Sequence, residues 1–289
     1  MTHDRIGVRK THKLFIGGAF PRSESGRTYE VATATGDFWS NASKASRKDA
    51  RNAVIAARTG FSKWSAATAY NRGQVLYRIA EVMEDRRAQF IDEVMAGEGV
   101  DEAAARQQVD AAIDRWVWYA GWTDKIAQAL GTANPVAGPY FNFSIPEPSG
   151  VVACVAPQAP SLLGLVSVIA PVIASGNSVV AMASTERPIP AITLAEVMAT
   201  SDVPAGVVNL LTGDPAEMLP WLASHADVNA VDLTGVTDRD LAISAEREAA
   251  GTIKRVLRPG PAADWDADPG MDRLRTFVEI KTVWHPMGI

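Results

Sequence analysis

Val151-Val152-Ala153-Cys154-Val155-Ala156-Pro157 opens the stretch that decides the fold, and Leu233-Thr234-Gly235 closes it. The opening run is short, rich in β-branched residues, free of charge and ended by proline, which predicts a strand buried on both faces. Ser161 to Ala174 follows, apolar nearly throughout, and Ser175-Gly176-Asn177 turns the chain into a second run, Ser178-Val179-Val180-Ala181-Met182. Ile189 to Thr200 has helical spacing through Ile192, Leu194, Ala195, Val197 and Met198. Val207 to Leu211 reads as a third strand, Pro215 to Ser224 as a short helix and Val228 to Leu233 as a fourth strand. Short apolar runs alternating with helix-length segments predict an α/β fold, a Rossmann-like parallel sheet covered by helices on both faces.

Composition narrows the function classes. A chain of 289 residues, 47% hydrophobic and 21% charged, has ordinary globular character and enough length for a sizeable core. A net charge of −5 gives no electrostatic case for a nucleic-acid or anionic-membrane partner. One cysteine, Cys154, excludes an intrachain disulfide and fits a reducing, cytoplasmic compartment. No apolar segment follows Met1-Thr2-His3-Asp4-Arg5, so no signal peptide is expected. Pro148 to Thr185 is uncharged and long enough to span a bilayer, but Pro157, Pro160, Pro171 and the Ser-Gly-Asn turn divide it into strand, helix and strand.

The flanks read as bracing elements. Residues 1–139 hold an expected hairpin from Lys13 to Val31, with Leu14-Phe15-Ile16 as one arm and Tyr29 to Val31 as the other. Ser46-Arg47-Lys48-Asp49 has the form of a capping box for a helix through Arg58. Asn71 to Met95 and Asp101 to Leu130 carry apolar residues at helical spacing, divided by Gly97-Glu98-Gly99. Trp116, Trp118, Tyr119 and Trp122 crowd the last of these helices, which admits either core packing or a subunit contact. Residues 140–150 include Tyr140 to Pro146, an alternating strand with one buried face. After the core at 151–257, the segment 258–272 has linker composition, and 273–289 ends the chain in another strand.

Several of these segments occur in a particular order. Leu14-Phe15-Ile16-Gly17-Gly18, Asn177-Ser178-Val179-Val180, Val203-Pro204-Ala205-Gly206-Val207-Val208-Asn209-Leu210, Leu233-Thr234-Gly235 and Phe277-Val278-Glu279-Ile280-Lys281-Thr282-Val283-Trp284 together resemble the aldehyde dehydrogenases. The resemblance implies that 151–257 is the cofactor-type domain. It also implies that the strands at 140–150 and 273–289 form the family's small oligomerisation element. In that family a catalytic domain bearing a cysteine nucleophile is inserted before the last strand. Here the linker at 258–272 stands in its place, so a domain of roughly 200 residues is expected to be absent.

The positions that the resemblance maps onto the cofactor and oxyanion sites have changed. The turn after the first strand is Pro157-Gln158-Ala159-Pro160-Ser161, and Ala159 offers no donor where the family has an asparagine amide. Met182 and Thr185 occupy the places of a lysine and a glutamate that contact the adenosine ribose. Gly213 survives from one glycine turn, followed by Pro215 where a second glycine is expected. Gly235 survives from the pyrophosphate turn, but Val236 replaces a hydroxyl residue and Asp240 a glycine, bringing carboxylate charge to a helix N-terminus. Gly213 and Gly235 therefore read as strand-to-helix turns. No catalytic residue is expected: Cys154 lies in an apolar strand, and His3, His12, His225 and His285 are isolated, with no metal-ligand spacing.

These readings predict a non-catalytic subunit similar to the pseudo-enzyme domain of double-domain aldehyde dehydrogenases. It would assemble with a full-length, active aldehyde dehydrogenase as a hetero-oligomer, with homo-oligomerisation as the other possibility. Phe141, Phe143, Ile145, Phe277, Val278, Ile280, Thr282 and Trp284 are the expected interface. NAD is disfavoured as a cofactor. The alternatives are NAD-dependent aldehyde dehydrogenase activity within a complex, or a nucleotide sensor without turnover.

Overall fold

The computed structural model describes residues 9–260 and 264–288, so the expectations on Met1 to Arg5 and His3, and the linker's Pro261 to Ala263, lie outside the described residues. Strands β1 (Thr11–His12), β2 (Thr28–Ala32) and β3 (Phe38–Ser43) form a sheet in the order β1-β3-β2. The expected hairpin is corrected here: Tyr29 to Val31 pair with β3, not with Leu14 to Ile16. Gly17 and Gly18, at φ +62° and +79°, reverse the chain directly after Ile16. Phe15 instead exchanges backbone hydrogen bonds with Leu210, and Leu14 and Phe15 become fully buried against the central sheet. That burial decides the pairing, because a peripheral hairpin would leave both side chains half wet.

Ser46 and Asp49 form the predicted capping box on α1 (Arg47–Ala66). The helix runs eight residues past Arg58, far enough to bury Trp64, whose indole N–H donates to the Ile173 carbonyl at 2.8 Å. The single helix expected over 71–95 is two, α2 (Ala69–Asp85) and α3 (Arg87–Glu98), broken at Arg86. The one expected over 101–130 divides into α4 (Glu102–Trp122) and α5 (Ile126–Leu130). Gly73 lets α2 sit on the end of α4, since a Cβ there would stand 2.7 Å from Thr123 Oγ1. Trp116 and Tyr119 are wholly buried, with Trp118 and Trp122 half-buried beside them, so this cluster serves core packing.

Beyond β4 (Thr132–Asn134) and β5 (Tyr140–Pro148) comes the central sheet. Its elements are β6 (Val151–Val155), α6 (Ser161–Ala174), β7 (Ser178–Met182), α7 (Ile189–Ala199), β8 (Val208–Leu211), α8 (Pro215–Ser224), β9 (Ala230–Asp232), α9 (Arg239–Ala250) and β10 (Arg255–Leu257). The strands are all parallel, in the order β10-β9-β6-β7-β8. Their side chains alternate between two cores. Val152 and Cys154 join α2, α3, α4, α6 and α7, whereas Val151, Ala153 and Val155 join α1, α8 and α9. Every residue of α6 is buried, because it lies between the sheet and α4. This explains why Ser161 to Ala174 has no polar stripe.

From β10 the described chain reaches α10 (Asp272–Thr276) and β11 (Val278–Pro286) with no domain between them. β11 and β5 pair antiparallel over nine residues, from Val278↔Pro148 to Pro286↔Tyr140, giving a third sheet ordered β11-β5-β4. β5 does bury one face, but it is the polar one. Asn142 and Ser144 are buried and accept hydrogen bonds from the Asn134 amide at 2.6 and 2.9 Å. Phe277 and Val278 are buried in the chain's own core, which corrects their assignment to an interface. Among the described residues no helix is long and apolar enough to cross a membrane.

Candidate functional site

The carboxyl ends of β6 to β9 are where an open parallel sheet places a ligand. Gln158, in the turn after β6, reaches across to the turn after β7. Its Oε1 accepts from Ser184 Oγ at 3.0 Å, Thr185 N at 2.9 Å and Glu186 N at 3.2 Å. Thr185 Oγ1 donates onward to the Gly213 carbonyl at 2.8 Å, and Arg187 holds the carbonyls of Gln158 and Gly97. Ala159 is exposed and Met182 wholly buried, in the core that also holds Val180, Leu211 and Val236. The remaining opening is about 200 Å³, lined by Gln158, Asp214, Gly235, Val236 and Asp238. The structure thus brings Gln158, Gly235 and Val236 together and leaves Ala159 and Met182 out of the opening.

Gly235 has a packing reason to be glycine: a Cβ there would lie 2.2 Å from the Ala156 carbonyl oxygen. Gly213 takes φ +123°, a conformation that side chains resist. Thr234, before Gly235, turns inward. Its backbone N–H and hydroxyl both donate to Asp232, whose other oxygen accepts from Arg273 at 2.6 Å.

The helix N-termini along this edge are already served. Asp238 caps α9, accepting from Asp240 N at 2.8 Å and Leu241 N at 3.3 Å, with Asp240 in the first turn. Asp214 caps α8 through Ala216 N at 2.9 Å. Glu98, at the end of α3, accepts from both Ser161 N and Ser161 Oγ at the start of α6. The fourth, α7, begins Pro188-Ile189-Pro190, and proline has no N–H to offer. The Asp214-Pro215 pair is a legible capping signal, whereas nothing local announces Glu98, 63 residues from Ser161.

Cys154 is fully buried in β6, where burial pushes its thiol well above the usual range. A neutral thiol without access to substrate is not a nucleophile. Among the described residues no group of acids, histidines or cysteine is placed to hold a metal.

A different surface is exposed. On the β11-β5-β4 sheet, Phe141, Ile280 and Trp284 are 51%, 53% and 58% accessible, with Tyr140 at 42%. Trp284 stacks edge-on against Tyr140 at 5.8 Å, and Phe141 lies 5.3 Å from Phe143. Phe143 and Ile145 are half-buried and Thr282 is exposed. Sequence reasoning found this set but not Tyr140, whose strand register beside Trp284 could not be foreseen.

A family model described as "Aldehyde dehydrogenase family" matches residues 20–258. The cytosolic aldehyde dehydrogenase 1 of Elephantulus edwardii is 32% identical over 250 residues, covering 84% of this chain and 49% of that protein. Human cytosolic 10-formyltetrahydrofolate dehydrogenase is 33% identical over 247 residues, 82% of this chain and 27% of the relative. Among solved structures, an aldehyde dehydrogenase from Bacillus cereus in complex with NAD+ superposes with a TM-score of 0.80 at 28% identity, covering 86% of this chain and 50% of that one. The chain spans about half the length of such aldehyde dehydrogenase relatives.

Proposed function

Because the chain belongs to the aldehyde dehydrogenase family, we propose that it is a non-catalytic member that assembles with, and scaffolds or regulates, a full-length active aldehyde dehydrogenase. The observation that carries this reading is the outer sheet. β11 is a nine-residue edge strand, and Tyr140, Phe141, Ile280 and Trp284 are all more than two-fifths exposed beside it. An open edge with large apolar side chains is a liability for a lone chain and a ready template for a strand from a neighbour. Aldehyde oxidation in such a complex is the work of the partner. Support comes from the buried Cys154 and from the direct passage of the described chain from β10 to α10 and β11.

The residues at the sheet's carboxyl edge do not fit NAD. Met182 is buried where a ribose-binding side chain is required, Gln158 occupies the amides of Thr185 and Glu186, and Asp238 with Asp240 fills the helix end a diphosphate would use. This favours assembly over nucleotide sensing.

The test is co-expression with a tagged full-length aldehyde dehydrogenase from the same source. The native chain is expected to co-purify in fixed stoichiometry, and Ile280→Lys or Trp284→Glu to abolish capture while the variant remains folded by circular dichroism. Capture that is absent, or indifferent to both substitutions, overturns the proposal.

A further inference from the structure

The hydrogen bonds at the two ends of β11 fix which of its residues face the open edge. The Ser149 N–H donates to the Phe277 carbonyl at 3.2 Å and the Met287 N–H to the Pro139 carbonyl at 2.8 Å, bracketing the register from Val278↔Pro148 to Pro286↔Tyr140. Antiparallel partners alternate between bonded and non-bonded pairs. Glu279, Lys281, Val283 and His285 therefore bond to β5, whereas Ile280, Thr282 and Trp284 turn their N–H and C=O groups outward. The same alternation points Pro146 and Pro148 of β5 away from β11, beyond the three-residue β4. Neither proline has an N–H to offer, so that side of the sheet refuses a further strand and the open edge is β11.

The outward residues are self-complementary in one antiparallel register. With Thr282 opposite the Thr282 of a second copy, Ile280 falls opposite Trp284 and Trp284 opposite Ile280, all of them exposed. Thr–Thr and aromatic–β-branched pairs are favourable cross-strand combinations. On the other face Glu279 meets His285 and Lys281 meets Val283, so no like charges oppose each other. Moving the two-fold axis to Lys281 would set two ammonium groups directly opposite, which is destabilising. Moving it to Ile280 would carry Trp284 opposite Thr276, which belongs to α10 and not to the strand.

We propose that this chain, when apart from the enzyme, pairs with a second copy of itself through β11, two-fold about Thr282, and that self-pairing masks the edge offered to the aldehyde dehydrogenase. One edge holds one strand, so the two assemblies exclude each other. The masking rests on the assembly proposed above; the pairing does not.

Light scattering on the full chain alone is expected to give twice the mass of one chain. Thr282→Pro removes an outward N–H and no backbone hydrogen bond to β5, and is expected to halve that mass with the fold kept by circular dichroism. Oxidation reads the register. Thr282→Cys opposes two thiols with Cα atoms about 5.5 Å apart, within disulfide range, and is expected to cross-link. Lys281→Cys meets its counterpart only on a diagonal of about 7–8 Å and is not. Cys154 is buried and does not compete. The oxidised Thr282→Cys dimer is expected to capture no aldehyde dehydrogenase until a reductant frees it. A monomeric native chain, or cross-linking that favours Lys281→Cys, overturns the pairing, even where that chain captures the enzyme. Capture by the locked dimer overturns the masking. A dimer that captures no enzyme in any state overturns the assembly proposed above, and the masking with it, and upholds the pairing.

Discussion

Gln158 concentrates in one side chain what distinguishes the carboxyl edge of this sheet. Its single amide oxygen serves two backbone N–H groups and a hydroxyl, tying the turn after β6 to the turn after β7. Gln158→Ala leaves those donors without that partner, and a loss of about 1–3 kcal/mol in urea denaturation is expected. His12 sets a pH dependence. Burial, then Lys10, lowers its pKa to about 4, against an opposing pull from Glu196. The folded state therefore binds fewer protons than the unfolded one between pH 6.5 and 4. His12 costs nothing above about pH 6.5, and stability falls as the pH drops through that window. By pH 5 the cost is on the order of 1–2 kcal/mol. Denaturation of wild type and His12→Gln at pH 7 and pH 5 should show the smaller loss in the variant.

At the scale of elements, legibility followed the reach of the interactions. β6 to β9 were readable because uncharged β-branched runs in a parallel sheet need no distant information, and the capping box at Ser46 is local. One reading failed, and two strands went unread, for long-range reasons. Leu14 to Ile16 found its partner at Leu210, and β3 hides in Phe-Trp-Ser-Asn-Ala-Ser, which does not alternate cleanly. β10, three residues long, is specified only by the open side of β9. The candidate site divided the same way. Met182, Val236 and Asp240 were named from the sequence as positions that the resemblance maps onto this edge, but the means by which the edge closes on itself was not legible, since Glu98 and Gln158 act across tertiary contacts. Capping is separately testable: Asp238→Ala removes the α9 cap and should lower stability by about 1 kcal/mol. It should not create NAD affinity, because Met182 and Gln158 are unchanged; calorimetry with NAD on this variant checks the point.

For the whole molecule, the two ends of the sheet system behave differently. The carboxyl edge satisfies its own donors, through Gln158, Glu98, Asp214 and Asp238. The outer β11-β5-β4 sheet presents apolar side chains on both faces, because antiparallel register puts Phe141 and Phe143 on one and Tyr140, Ile280 and Trp284 on the other. A molecule that satisfies its own donors along the carboxyl edge and is open along its outer strands is suited to joining another chain. Size-exclusion chromatography with light scattering, on the chain alone and co-expressed with a full-length aldehyde dehydrogenase from the same source, tests that most directly. The account predicts a single mixed species whose mass is a sum of both subunits, absent with an unrelated dehydrogenase. A monodisperse chain that elutes apart from the enzyme would contradict it.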